Sequence, residues 1–111
     1  MLFRSRKRSH EKARDIAKEI GMGRRQDRAL ADNPEIAGAY SLYAMCRRRH
    51  LIVAKLPKGN KGDTMIKMLP YTDGLLFLPN DGGMLDQPHK LMTFFEIFES
   101  GEQEAFNMRL K

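Results

Sequence analysis

Cys46 and His50 stand four residues apart, the spacing that places two side chains on one face of a continuous helix. A thiol beside an imidazole is a nucleophile–base pair in outline, and the cations Arg47, Arg48 and Arg49 would favour the thiolate. The pair lacks a third, orienting group and an oxyanion site, and a free cysteine is more often a small buried hydrophobe than a nucleophile. The sequence therefore reads as having no catalytic residue. Metal chemistry fares no better. Cys46 is the one cysteine, and His10, His50 and His89 are too scattered to form a closed site. No metal and no cofactor is expected. Gly59-Asn60-Lys61-Gly62 matches the GXXG pattern of a backbone-clamping loop, but its flanks are apolar and a hairpin turn explains it better. Gly21-Met22-Gly23 lacks the spacing of a phosphate loop.

Binding is better supported than catalysis. The chain has 111 residues and a formal net charge of +6. Through Arg49 there are 13 basic and 6 acidic residues; from His50 onward there are 7 and 8. The excess lies in three clusters, Arg4 to Arg8 (with Arg6, Lys7 and Arg8), Arg24-Arg25 with Arg28, and Arg47-Arg48-Arg49. Clustered cations suit phosphates or an acidic protein surface, and their bland alternative is a solvated face. A second feature is apolar. Leu91, Phe94, Phe95 and Phe98 recur at helical spacing, which marks either a core or a groove for a partner helix or a second copy.

The elements that must carry these residues follow from local signals. Residues 1–8 read as a flexible basic arm, and 9–111 as a single small domain. Ser9 can cap a helix to Ile20 with Ala13, Ile16, Ala17 and Ile20 on one stripe, ended by Gly21. Asn33-Pro34-Glu35 opens a second helix with Ile36, Ala39, Tyr40, Tyr43 and Ala44 inward and Arg47 to Arg49 near its end. Residues 50–56 fit either a continuation of that helix or a strand. As a strand, they pair across the turn at 57–63 with Met65–Leu69, and Leu75–Leu78 is a candidate third strand. Asp86-Gln87-Pro88 starts the last helix with Asp86 as cap, and Ser100-Gly101 interrupts it. The fold class expected is α+β, with two or three helices and a small hairpin; one long helix over 34–56 would instead make an all-α bundle. No apolar run approaches the roughly 20 residues of a membrane span, and no secretory signal is visible, so a cytoplasmic protein is expected.

The segment Leu78-Pro79-Asn80-Asp81-Gly82-Gly83-Met84-Leu85-Asp86-Gln87-Pro88, with the helix after it, resembles a pattern in small tail-assembly accessory proteins of tailed bacteriophages. The resemblance implies a non-enzymatic assembly protein, a chaperone that holds helical segments of a phage structural protein soluble. It would use Met92, Phe94, Phe95 and Phe98, while Gly82, Gly83 and Asp86 shape the turn. The competing expectation is a nucleic-acid-binding module contacting phosphates through Arg6, Lys7, Arg8, Arg24, Arg25, Arg47, Arg48 and Arg49.

Overall fold

The protein is an α+β fold of four helices and one antiparallel hairpin, seen in a computed structural model that describes residues 2–57, 62, 64–80, 82–83 and 87–110. Helix α1 spans Leu2–Gly21, so the backbone of residues 2–8, expected as an arm before a Ser9 cap, continues the helix. Its apolar stripe is buried as the periodicity requires, with Ala13, Ile16 and Ala17 inside and Ile20 packed against them. The helix ends in a Schellman turn. Gly23 takes φ of 85°, its N–H donates to Ile20 O at 2.9 Å, and Arg24 N–H donates to Glu19 O at 2.9 Å.

A short helix α2 (Asp27–Asp32) leads to α3 (Pro34–Cys46). Pro34 occupies the first turn as expected, but Asn33 does not cap. Its Nδ2 donates backward to Ala29 O at 2.8 Å, tying α2 to the start of α3. Ile36, Ala39, Tyr40 and Tyr43 turn inward, joined by Cys46, whereas Ala44 faces solvent. At Arg47 the backbone becomes extended (φ −65°, ψ 148°), and the chain passes directly into strand β1, Arg47–Pro57. The Arg47 to Arg49 cluster thus opens a strand instead of closing a helix, and the all-α alternative falls.

Strand β2 (Thr64–Leu75) returns antiparallel, with Ile52 opposite Leu69, Val53 opposite Met68 and Lys55 opposite Ile66. The sheet has two strands; Leu75 is the last residue of β2, and residues 76–78 form no third. The edge of β2 is guarded at its base. Thr72 O and Gly74 N–H point away from β1, where Gln103 Nε2 donates to the first at 3.2 Å and Glu99 Oε1 accepts from the second at 2.9 Å. Pro70, on the same alternation, has no N–H to leave open there.

Helix α4, His89–Arg109, is continuous through Gly101. The expected break is absent because Gly101 has a packing role: a Cβ there would lie 2.6 Å from Arg14 O and 3.1 Å from Ala17 Cβ. Likewise, a Cβ on Gly21 would lie 2.7 Å from Ala105 Cβ. The two glycines let α1 and α4 run side by side, in the same direction, closer than side chains would allow. Pro88, with no side-chain cap, occupies the position before α4; the expected cap, Asp86, lies outside the described residues.

The main core gathers α1, α3 and α4 around aromatic rings, with Tyr43 5.4 Å from both Phe95 and Phe98 and Tyr40 5.1 Å from Phe98. A smaller cluster of Ala54, Leu56, Leu69 and Phe106 fastens one face of the hairpin to α4. Between the clusters sits a buried polar joint. Glu102 pairs with Arg47 and accepts from Thr72 Oγ1 at 2.6 Å and from Tyr40 Oη at 3.1 Å. One carboxylate thereby ties together α3, both strands and α4.

Candidate docking surface

Side chains alternate along a strand, so the register sorts the hairpin into two faces. Ile52, Ala54, Leu56 and Leu69 share the face that carries the small cluster on Phe106. Leu51, Val53 and Lys55 lie on the opposite face, with Met68 across from Val53 and Ile66 across from Lys55. On this outer face Leu51 is 62% exposed, Val53 61%, Ile66 67% and Met68 59%. Full burial of such side chains is worth 1.5–3 kcal/mol each, so about 4–7 kcal/mol of apolar burial is left unused here. β1 is about 35 Å long at 3.3 Å per residue, and the molecule measures 52 × 32 × 21 Å. Its radius of gyration is 16.0 Å, against about 13 Å for a compact chain of this length.

The outer face is also basic. Its cations are Arg49 and Lys55; Lys67, across from Ala54, lies on the other face, and Arg47 is buried against Glu102. Arg49 and Lys55 flank Leu51 and Val53 at alternate positions of β1, and both are exposed without an ion-pair partner among the described residues.

Several residues expected to bind are engaged elsewhere. Phe94, Phe95 and Phe98 are 2%, 3% and 0% exposed. They form the core, packed against Tyr40 and Tyr43 of α3, and are not the exposed wall of a groove. Met92 is different: half-buried, it lines a cleft. Arg47 is taken up by Glu102 and lies over the rings of Tyr40 and Tyr43, 5.9 and 5.7 Å from their centroids, so it is not free for a phosphate. Arg48 donates to Asp73 at 3.0 Å, Arg24 to Glu19 at 2.8 Å, and Arg25 pairs with Asp27 at 2.8 Å, all near the surface. Arg8 is exposed, while the side chains of Arg6 and Lys7 lie outside the described residues.

Cys46 and His50 are not partners. The helix ends at Cys46, which is buried, and burial pushes its thiol pKa up, away from the thiolate. His50 Nε2 lies on β1, 2.9 Å from Asp73 Oδ1. Asp73 also accepts from Arg48, and these hydrogen bonds hold its carboxyl below the usual range. Among the described residues no group of three His, Cys, Asp or Glu side chains is placed to hold a metal. Residues 59–61 of the GXXG pattern lie outside the described residues, and Gly62 has φ of 80°. Among the described residues no helix is long and apolar enough to cross a membrane.

The second surface feature is a cleft of about 550 Å³ between residues 74–78 and the start of α4. Leu76 and Phe77 stand exposed on it, Met92 lines its wall, and Glu96 and Glu99 line its α4 side. Buried Gln87 braces its far end: Oε1 accepts from Asn80 N–H at 2.9 Å, and Nε2 donates to Asn80 O at 2.8 Å and to Gly83 O at 3.2 Å. Within Asp86-Gln87-Pro88, this glutamine is what fastens the preceding turn. Sequence reasoning passed over Gln87 and the outer hairpin face. For the latter a signal existed: Leu51-Ile52-Val53-Ala54 is an uninterrupted apolar run, the mark of a strand covered on both faces. No family model, curated protein or solved structure matches the chain.

Proposed function

We propose that this protein is a non-enzymatic interaction protein that docks an apolar, acid-flanked segment of another protein on the outer face of its β1–β2 hairpin. The observation that carries this reading is the set of four large apolar side chains, Leu51, Val53, Ile66 and Met68, aligned on one sheet face and each about 60% exposed. Exposed apolar patches of this kind mark interaction sites, and the flanking Arg49 and Lys55 would favour acidic neighbours. The role fits the phage-assembly resemblance of residues 78–98. There the occupant is a helical segment of a phage structural protein, held soluble as a tail-assembly chaperone would hold it. The docking surface moves from the phenylalanine stripe, which is core, to the hairpin.

Nucleic-acid binding is the second reading, favoured by the exposed, unpaired Arg49, Lys55 and Lys67 among the described residues of the hairpin. It ranks lower because apolar groups occupy the centre of the outer face, while Arg24, Arg25, Arg47 and Arg48 have carboxylate partners.

Two titrations on one protein separate the readings. An environment-sensitive apolar dye should bind the wild type and be lost from a Val53→Ser/Met68→Ser double variant with unchanged circular dichroism. Duplex and single-stranded DNA should bind weakly at low salt, with no change in the double variant. Dye binding indifferent to the substitutions would defeat the protein-docking reading. Tight DNA binding that falls steeply with salt and vanishes in an Arg49→Ala/Lys55→Ala variant would replace it with the phosphate reading.

A further inference from the structure

We infer that the hairpin's outer face seats in the cleft beside α4 of a second copy of the same chain, so that the protein associates with itself head to tail. This rests on the reading of the hairpin as a docking surface and names an occupant for it. The outer hairpin face and the cleft both present exposed apolar side chains, and the free charges beside them are opposite. On the hairpin, Arg49 and Lys55 bracket Leu51 and Val53. In the cleft, Leu76 and Phe77 present apolar surface, and Glu96 stands exposed on α4 with no partner among the described residues. Glu99 beside it is already committed to Gly74 N–H and to Gln103, which leaves Glu96 as the free carboxylate for an incoming cation.

The chain cannot satisfy both surfaces by folding on itself. Residues 74–78 of the cleft continue directly from the base of β2. Met68 lies six residues up that same strand from Gly74, about 20 Å away at 3.3 Å per residue. The strand's pairing with β1 and the ties from Glu99 and Gln103 hold the base in place, so Met68 is kept at that distance from its own cleft. Two different patches meeting between copies make a heterologous contact, which closes into a ring or dimer if the rotation allows and otherwise propagates. A strongly anionic surface would also attract Arg49 and Lys55, but it would have no use for Glu96.

Sedimentation velocity of the full chain from low to high micromolar concentration tests this, with Lys55→Glu and Glu96→Lys as exposed single substitutions. The wild type should associate, and each variant should weaken association by about tenfold or more, because like charges then face each other across the contact. An equimolar mixture of the two variants should recover association, since the reversed hairpin of one suits the reversed cleft of the other. A wild type that stays monomeric throughout overturns the inference. So does a Glu96→Lys variant that associates like the wild type, or a mixture no better than its components. A monomeric wild type that still binds the apolar dye through Val53 and Met68 would end the self-association proposal while leaving the docking surface standing.

Discussion

Replacing Arg47 with methionine should destabilise the protein more than any surface charge change. The guanidinium and the Glu102 carboxylate expose 12% and 6% of their side chains, so neither is well screened by water. Methionine matches much of the arginine's apolar stem but leaves Glu102 buried without a cation, holding Thr72 Oγ1 and Tyr40 Oη as its remaining donors. Breaking a buried pair by removing one partner costs about 3–5 kcal/mol. At about 2.1 cal/mol/K of unfolding entropy per residue, a chain of 111 residues loses roughly 13–21 °C in Tm for that cost. Urea denaturation followed by circular dichroism reads the change directly, with the midpoint falling and the slope unchanged. An Arg47→Met/Glu102→Leu double variant should recover part of the loss, since the uncompensated buried charge is gone, giving a coupling energy of about 2 kcal/mol or more. If the single substitution costs less than about 1 kcal/mol, or if the cycle shows no coupling, the joint between hairpin and helices is not electrostatic and the reasoning fails.

Three further outcomes are expected. Gly101→Ala should destabilise by roughly 1–3 kcal/mol despite alanine's better helix propensity, because the new methyl meets Arg14 O at 2.6 Å; a Tm equal to or above wild type would show that α1 shifts freely. Tyr40 has its phenol pushed up to about 12 from the ordinary 10.0, chiefly by burial and then by the Glu102 charge. A group whose folded pKa is raised gives stability that is full below its unfolded pKa and lost as pH rises through the folded one. Stability should therefore decline by roughly 2–3 kcal/mol between pH 10 and 12, with no matching Tyr40 phenolate absorbance at pH 10–11 in the folded protein. Cys46, buried and with its thiol pKa raised by burial, should resist alkylation in the native state and react at the rate of unfolding; fast native labelling would place it at the surface.

Much of the local architecture was legible without coordinates. Helical spacing marked Ala13, Ile16 and Ala17, the Asn33-Pro34-Glu35 run located the start of α3, and the Gly-rich polar segment after Pro57 marked the hairpin. Less legible was whether an apolar stripe is covered. Phe94, Phe95 and Phe98 and the run Leu51 to Ala54 are equally apolar in sequence. The phenylalanines are buried because α1 and α3 close over them. Half of the strand run is bare because α4 reaches the face carrying Ala54 and Leu56 and leaves the other open. Charge was ambiguous for a similar reason. Arg47, Arg48 and Arg49 are neighbours in sequence, but the strand's alternation and the Glu102 joint send them to a buried ion pair, a surface pair with Asp73 and open solvent. Gly101 looked like a helix breaker because propensity is a local quantity, whereas its role is set by the close passage of α1, which no local pattern reports. The sequence by itself determined the buried stripes of α1 and α3 and the place of the hairpin turn, since periodicity and turn chemistry act over a few residues, but not the helical course of residues 2–8 or the extended course of 50–56. Tertiary structure decided which apolar face and which cations remain free to meet a partner, because burial and ion pairing depend on residues far apart in the chain.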